Sequence, residues 1–454
     1  MAVLAVGLPG GARLAAQPAG GAVPTVQDPG TPLTFDGAIE RALESNPGYR
    51  RQLNAVTSAE YAERSRFGSA FLPNLTANIG FNGSTFRRKT AEDDFGNPIG
   101  GTDFIENTTS STSQGLGGGL TLFDMQSWRS WGQARAQTDA QVAAADVSAA
   151  QLRTQVGQAY YQATRADRLI EVEERQLESA HRQLEAVQEL LRVAAKQPTD
   201  VLGAELQVAQ AEQSVQQARG DARKARLQLK QIMGVDLGTR YELTSGFPTV
   251  FDPTALDVET LIGRAMAEGP RVAQQSAELE ASRKSLSVAK AARYPTITGN
   301  VSAGRSTSAQ DYEAFGELNP PNTSWGFGVS VSVPLFTRFS TTSQIGQAKA
   351  QVDNAEASLR EARLQVETEV RAALIDLESA YTSVQLAEQS ARIASSRLQQ
   401  GEELYRLGSI RYTDLQRMFD DVANAERGVV NAYAQFATAK LQLEEKLGAP
   451  LADR

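Results

Sequence analysis

Cysteine is absent from the 454 residues, and histidine occurs once, at position 181. The first absence excludes disulfide scaffolds, thiolate metal sites, cysteine nucleophiles and a lipid-bearing N-terminal cysteine. The second leaves no multi-histidine metal site, and no Ser-His-Asp chemistry unless His181 is itself the base. Positive charge is also short, since 53 acidic against 45 basic side chains give a net charge of −8. Nucleic-acid binders carry a basic footprint, so that class is disfavoured. No stretch of about 18 apolar residues offers a transmembrane helix. Together these absences argue against an enzyme, and no cofactor motif stands in the chain.

The N-terminal segment is apolar from Met1 to Leu8, and small residues continue through Ala15-Ala16-Gln17. This is the pattern of the end of a secretory signal peptide. The basic segment that should come first is missing, because Arg13 follows the apolar run. The expectation is that Met1 lies inside the signal, and that residues 1–32 are its remnant with a disordered Gly/Pro/Ala tail.

An internal repeat organises the remainder. Thr154-Gln155-Val156 and Thr368-Glu369-Val370 lie 214 positions apart, as do Thr199-Asp200-Val201 and Thr413-Asp414-Leu415. Leu229 to Gly234 returns as Leu443 to Gly448 at the same offset of 214. Upstream the spacing is wider: Arg41-Ala42-Leu43 with Pro47 matches Arg264-Ala265-Met266 with Pro270 at 223. The first copy therefore carries a longer loop between Pro73 and Phe123. The expected layout is a first repeat at 33–234, a linker at 235–257, a second repeat at 258–448 and a tail at 449–454.

Each repeat holds heptad-spaced helices. Leu177, Ala180, Leu184, Val187, Leu191 and Ala194 alternate in steps of three and four, and Ala391, Ala394, Leu398, Gly401, Tyr405 and Gly408 follow the same phase. The pattern restarts at Val201, Ala204, Val208, Ala211 and Val215, and again at Leu415, Met418, Val422, Ala425 and Val429. A sustained 3.5-residue period gives a left-handed coiled coil, and the small seam residues let helix axes approach closely. Trp131 to Ala195 contains no proline, and as one helix it would run on the order of 100 Å. Ser343 to Leu407 predicts a second of the same length.

Four other segments alternate at period two. Leu75, Ala77, Ile79 and Phe81 form one, and Leu116, Leu120 and Leu122 a second. Ile297, Val301 and Ala303 form the third, then Trp325, Phe327, Val329, Val331 and Val333 the fourth. The intervening positions are Gly, Thr, Ser or Asn. Segments of about nine residues with one greasy and one small polar face suit strands crossing a bilayer around a wet lumen. Gly83 to Gln114 and Gly304 to Asn322 are expected as exposed loops. Pro73 and Pro295 mark helix-to-strand changes, and Pro334 the reverse change.

Four strands cannot enclose a lumen, and an open edge in lipid costs several kcal/mol per unpaired group. Several chains must therefore share one barrel; three chains would give twelve strands, one number that closes with an aqueous interior. The expected class is mostly α with a membrane β-barrel, the coiled-coil helices continuing the tube. The alternatives are a soluble structural coiled-coil or adaptor-like rod, with the strands in a small sandwich, and a diffusion porin. His181 and the Glu171-Glu173-Glu174 run read as solvated helix surface.

From about Leu33 to Gly448 the chain resembles the TolC-like outer membrane efflux proteins. The resemblance rests on Leu33-Thr34-Phe35-Asp36-Gly37-Ala38-Ile39 with Asn46-Pro47, on Phe71-Leu72-Pro73-Asn74-Leu75, and on Val333-Pro334-Leu335-Phe336. Tyr405-Arg406-Leu407-Gly408-Ser409 ahead of Thr413-Asp414-Leu415 completes it. It implies a homotrimer whose twelve-stranded outer-membrane barrel continues into a periplasmic α-helical tunnel. Such a tunnel is the passive exit duct of a tripartite efflux pump or a type I secretion system. Its partners are a periplasmic adaptor (membrane fusion) protein, an inner-membrane pump or ABC transporter, and outer membrane lipid, with no nucleic acid.

The resemblance also implies a periplasmic gate in which a Tyr and an Arg of the inner helices bond an Asp of the outer pair. Tyr405 falls at the Tyr position and Asp200 at the Asp position. The Arg position holds Ile410, with Arg411 next to it. Of two inward acids at the constriction, Asp414 matches the first, while Arg417 stands at the second. By their own context, Asp200 and Asp414 also suit helix N-caps beside Thr199 and Thr413, and Tyr405 suits plain seam packing. The tips near Ala194–Thr199 and Gly408–Thr413 are the expected adaptor contacts.

Overall fold

The computed structural model describes residues 31–91, 93–95, 98, 104–192 and 197–451. The expected signal remnant and the tip residues Ala194 to Lys196 lie outside them, apart from Thr31 and Pro32.

Each repeat opens with two short helices broken by proline. In the first, α1 (Phe35–Ser45) gives way to α2 (Pro47–Phe71). Asn46 makes the break, its side chain accepting from Tyr49 N at 2.9 Å and Pro47 taking the first helical position, where a missing N–H costs nothing. Two strands follow, β2 (Asn74–Lys89) and β3 (Phe104–Asp124), then the long helix α3 (Met125–Arg192) and the returning α4 (Pro198–Met233). The second repeat answers with α5 (Val258–Glu268), α6 (Pro270–Ala291), β5 (Thr296–Gln310), β6 (Asn322–Ser332), α7 (Ser340–Arg406) and α8 (Tyr412–Leu447). At 68 and 67 residues, α3 and α7 match the length expected of them, and each runs about 100 Å.

The heptad seam is buried as its spacing requires. Along α4 the seam is covered throughout, with Ala204, Val208, Val215, Ala222 and Leu229 buried and the remaining seam residues half-buried. Gly132 and Gly157 sit inside α3 without breaking it. A Cβ at Gly157 would run into Leu441 of α8, so this glycine permits close approach of two helices.

Two departures from expectation concern strands. The stretches 83–89, 104–114 and 304–310, expected as loop, continue the ladders of β2, β3 and β5, with Lys89 opposite Phe104 and Gln310 opposite Thr109. Ser, Thr, Gly and Asn there read locally as loop, but pairing across the hairpin satisfies their backbone groups. Thr31 and Pro32, expected as disordered tail, begin β1 (Thr31–Leu33), which pairs in parallel with β4 (Tyr241–Leu243) inside the segment read as a linker. Tyr160 of α3 clamps this small sheet, its hydroxyl donating to the Leu33 carbonyl at 3.0 Å and accepting from Ser245 N at 3.0 Å.

The larger sheet is antiparallel in the order β2-β3-β5-β6. Helices adjoin in the same order, α2 on α3, α3 on α6 and α6 on α7. Farther from the sheet the pairs are α4 on α3, α3 on α8 and α8 on α7. One flank of the protomer is thus β2, α2 and α4, and the other is β6 and α7. Register puts Leu75, Leu116, Val301, Trp325, Phe327 and Val329 on one sheet face, where all are exposed. The opposite face is small and polar. There Asn74 lies over Gly119, Asn78 over Gly115 and Asn300 over Gly328. Among the described residues no helix is long and apolar enough to cross a membrane.

Candidate gate at the helical tip

Far from the sheet, α3/α4 and α7/α8 turn back on themselves, the pairs that the resemblance reads as outer and inner. Helix α7 ends because Gly408 adopts a left-handed φ of 76°. There Gly408 N donates to the Tyr405 carbonyl and Ser409 N to the Leu404 carbonyl, capping groups the helix leaves free. Val187, Ala204, Tyr405, Tyr412, Leu415 and Phe419 form a small apolar cluster at this end, with Ile410 packed against it.

The structure brings Tyr405 and Asp200 together, the hydroxyl donating to Asp200 Oδ2 at 3.2 Å. A second tyrosine, which the sequence reading did not single out, stands beside it. Tyr412 donates to Gln207 Oε1 of α4 at 3.0 Å, and its ring meets that of Tyr405 edge-on at 5.9 Å. Gly203 of α4 makes room for that ring, since a Cβ there would come within 2.8 Å of Tyr412 Cε1. The one signal available was phase: Tyr412 lies seven residues after Tyr405, and Gln207 seven after Asp200. Burial first, then the Asp200 carboxylate, pushes the Tyr412 phenol up to about 12. The same two causes push Tyr405 higher still, so both hydroxyls stay protonated donors at neutral pH.

The other candidates are arranged differently. Arg411 is exposed and makes no ion pair among the described residues, so within one protomer it does not reach Asp200. Arg417 pairs with Asp414 at 3.6 Å, the arginine exposed and the aspartate half-buried. Asp200 and Asp414 each occupy the first turn of a helix, while Gln197 and Arg411 hold the cap positions without a side-chain bond. The carboxylates face a positive helix end but do not cap it. Nearby, the Asp420 carboxyl is pushed up by partial desolvation and by neighbouring Asp421. His181 is exposed, as expected.

A groove of about 600 Å³ separates α3 from the inner pair at this end, lined by Arg182, Glu189, Glu402, Arg406 and Leu415 among others. Burial raises the Glu402 carboxyl against the pull of Arg182 and Arg406. Higher up, Arg427 of α8 grips the buried Glu173 of α3 with two bonds of 2.6 and 2.8 Å. A bidentate pair of this kind fixes the register of α8 against α3.

The chain matches the outer membrane efflux protein family over residues 38–235 and 261–449, one segment in each repeat. It is similar to the outer membrane protein TolC of Vibrio cholerae, 24% identical over 393 residues covering 84% of this chain and 83% of that protein. It is also 27% identical to protein CyaE of Bordetella pertussis over 233 residues, 50% of this chain and 47% of CyaE. The chain thus matches about half the length of that relative. Among solved structures, CusC superposes with a TM-score of 0.74 at 17% identity, covering 94% of this chain and 95% of its own. The outer membrane protein VceC of Vibrio cholerae does so at 0.69 and 18% identity, covering 92% and 96%. The fold of the protomer, long helices continuous with a four-stranded sheet, is therefore that of solved outer membrane channels, and the chain belongs to the outer membrane efflux protein family.

Proposed function

We propose that three copies of this chain close into one duct, a twelve-stranded barrel in the outer membrane continued by a helical tunnel in the periplasm. The duct conducts passively, as the exit of an efflux pump or a type I secretion system. One observation carries the reading: the protomer is a slice with two open flanks, and within the helices every exposed large apolar side chain except Val142 lies on the flanking α2, α4 or α7. On α7, Leu364, Ile375, Leu386, Ile393 and Leu404 are all exposed. Their spacings of 11, 11, 7 and 11 residues place them in one stripe down the helix. On the other flank, Leu202, Leu206 and Leu227 of α4 are exposed. A stripe facing water for some 60 Å would be an aggregation hazard; against the α4 flank of a second copy it becomes an interface. The unpaired edges of β2 and β6 demand the same closure.

The tip then serves as the gate. Tyr405 on Asp200 and Tyr412 on Gln207 hold the inner pair against the outer pair, and opening requires both contacts to break while α7 and α8 swing outward. The groove at the tip, with Arg182, Glu189, Glu402 and Arg406 on its walls, suits a charged periplasmic adaptor. An inner-membrane pump or ABC transporter would supply the energy that a passive duct lacks.

The test is purification from outer membranes in detergent, followed by mass measurement and single-channel recording in planar bilayers. The expected result is a heat-resistant particle of three chains that conducts in small steps. A surfactant-free soluble monomer would overturn the whole reading.

A further inference from the structure

The outer wall of the sheet is too short in apolar height, and the β5–β6 connection lies where the shortfall is. Row by row, the exposed face is apolar from Val331 opposite Ile297, through Val329, Gly299 and Leu120, to Trp325, Ala303, Leu116 and Ala77. The next rows turn polar, with Thr323, Arg305 and Gln114, then Thr307 and Thr112, then Ser110; Ile79 and Phe81 of β2 and Ala309 of β5 stay apolar. With the exposed Val333 continuing this face below Val331, Trp325 to Val333 is eight residues, about 27 Å of strand and about 20 Å of height at the usual tilt. A membrane barrel needs an apolar band of about 25 Å, or about ten residues of strand.

Residues 311–321 fold back onto those polar rows instead of projecting away. Asp311 and Gly316, at φ of 60° and 84°, make the turns. The Thr112 hydroxyl donates to the Ala314 carbonyl at 2.6 Å and accepts from Gly316 N at 3.2 Å. The Ser110 hydroxyl accepts from Ala314 N at 3.0 Å. Gln114 donates to the Leu318 carbonyl at 2.9 Å, and Arg305 to Asn319 Oδ1 at 2.7 Å. Phe315 packs on Phe81 at 6.0 Å between ring centres. Every one of these wall residues belongs to the apolar face of the sheet, and none to the lumen face. As a result Ser110 and Thr112 are only 1% and 0% exposed, at a place where the bare wall would show hydroxyls.

We propose that this segment is a strap facing the acyl chains of the outer leaflet, completing the barrel's apolar band up to the headgroups. Its outward side chains are graded as such a position demands. Leu318, held over the Gln114 row, is 79% exposed, followed upward by Phe315 and then Tyr312. Asp311 marks the top, bonded through its N–H to the Thr108 carbonyl at 2.8 Å. Glu313 belongs to the same upper turn, and the Glu317 carboxylate accepts from Asn319 N, the residue that Arg305 holds. Beyond the strap the wall becomes charged, with Arg87 opposite Glu106. Leu318, Phe315 and Tyr312, then Glu313 and Asp311, follow the order expected on crossing from hydrocarbon through an aromatic girdle to water, with the exposed Glu317, bonded by Asn319 N, as the one departure. The satisfied polar atoms beneath are those that lipid would otherwise leave unpaired.

The inference rests on the barrel lying in the outer membrane, and the experiment separates the two. Trp128, Trp131 and Trp325 are the three tryptophans. One variant, Trp128→Phe with Trp131→Phe, keeps Trp325 on the bare apolar wall as an internal reference. A second removes Trp325 as well and adds Leu318→Trp, with Phe315→Trp as the substitute should that protein fail to assemble. Each is reconstituted into phosphatidylcholine vesicles with brominated acyl chains, and fluorescence quenching is compared with quenching by aqueous acrylamide. The expected result is bromolipid quenching of the strap tryptophan within about twofold of Trp325, with weak acrylamide quenching. Acrylamide quenching of the strap tryptophan, with Trp325 still quenched by bromolipid, would overturn the strap alone. Loss of bromolipid quenching at Trp325 would overturn the membrane wall itself.

Discussion

At the equator of the first repeat, the level where the α1–α2 break meets the end of α4, Gly234 ends α4 in a left-handed conformation with φ of 74°, packed against Asn46 and Pro47. In the second repeat, 214 positions on, Gly448 ends α8 at the same φ of 74°, packed against Glu268 and Pro270. The breaks are duplicated; the side chains around them are not. In the second copy Glu369 receives Arg271 at 2.7 Å and Lys446 at 3.2 Å. Gly48, Gln155 and Ile232 stand at the corresponding positions of the first copy, where Tyr160 and the β1–β4 pair do the fastening. At the tips the divergence goes further. Asp200 of copy one accepts from Tyr405 of copy two, while the positions of Tyr405 and Tyr412 hold Leu191 and Pro198 in copy one. Backbone geometry is conserved between the copies because any change there displaces a whole helix. Side chains were free to diverge, and the contact of Tyr405 with Asp200 exists because they did.

The duplicated breaks offer the largest effect. Gly234→Ala places a Cβ within 2.7 Å of the Ser45 carbonyl oxygen, and Gly448→Ala within 2.9 Å of Pro270 Cδ. Left-handed strain and that crowding should cost about 2 kcal/mol or more in each, with Gly234→Ala the worse. Chemical denaturation of the purified protein measures both, and a neutral Gly234→Ala would break the equivalence of the two equators.

Next comes the latch. Tyr405→Phe and Tyr412→Phe each remove one hydroxyl bond of about 1 kcal/mol, and the double variant should raise single-channel conductance several-fold over either single one. Since both phenols titrate above their ordinary range, the contribution of their bonds is present below about pH 10 and lost only as pH rises through the folded values. Conductance of the parent should therefore stay low at pH 10.5, where a free tyrosine is mostly ionised. A rise already at pH 10 would sink the buried-donor account.

A smaller effect separates the equators by charge. Burial opposes ionisation of Glu369, but Arg271 and Lys446 outweigh it and hold the carboxyl below its usual range. A lowered carboxylate stabilises above the unfolded pKa of about 4.3 and loses that contribution as pH falls through the folded value. Melting should therefore drop on acidification below about pH 4.5, and Glu369→Gln should flatten that drop while lowering stability at pH 7. Equal acid slopes in variant and parent would remove the second equator's ionic character. Arg411→Ala is expected to change least, within about 0.5 kcal/mol in stability, because the side chain is exposed. A conductance change matching that of Tyr405→Phe would show that Arg411 acts on a neighbouring copy.

Much of this was legible in the sequence. Heptads from Val201 to Ile232 gave helix, seam and phase, and alternation from Trp325 to Val333 gave strand and face. Tyr405 and Asp200 came from the resemblance, and they do touch. Other features stayed hidden. The stretch from Gly83 to Lys89 is strand only because Phe104 to Ser110 lies opposite it, and no local preference in Ser, Thr and Gly announces that pairing. The three-residue strands β1 and β4 are too short for any period to show. Tyr412 lies 205 positions from Gln207, as far as Tyr405 lies from Asp200, and was passed over because the resemblance points to Tyr405 and Asp200 but not to this pair.

Composition and periodicity by themselves determined that this chain is a duplicated unit of very long helices and half-greasy strands, since those properties follow from spacing along one element. Tertiary structure alone decided which hydroxyl meets which carboxylate at the tip, and that an apparent loop lies down upon the outer wall. Those are contacts between residues tens to hundreds of positions apart, and only the folded backbone sets the distances between them.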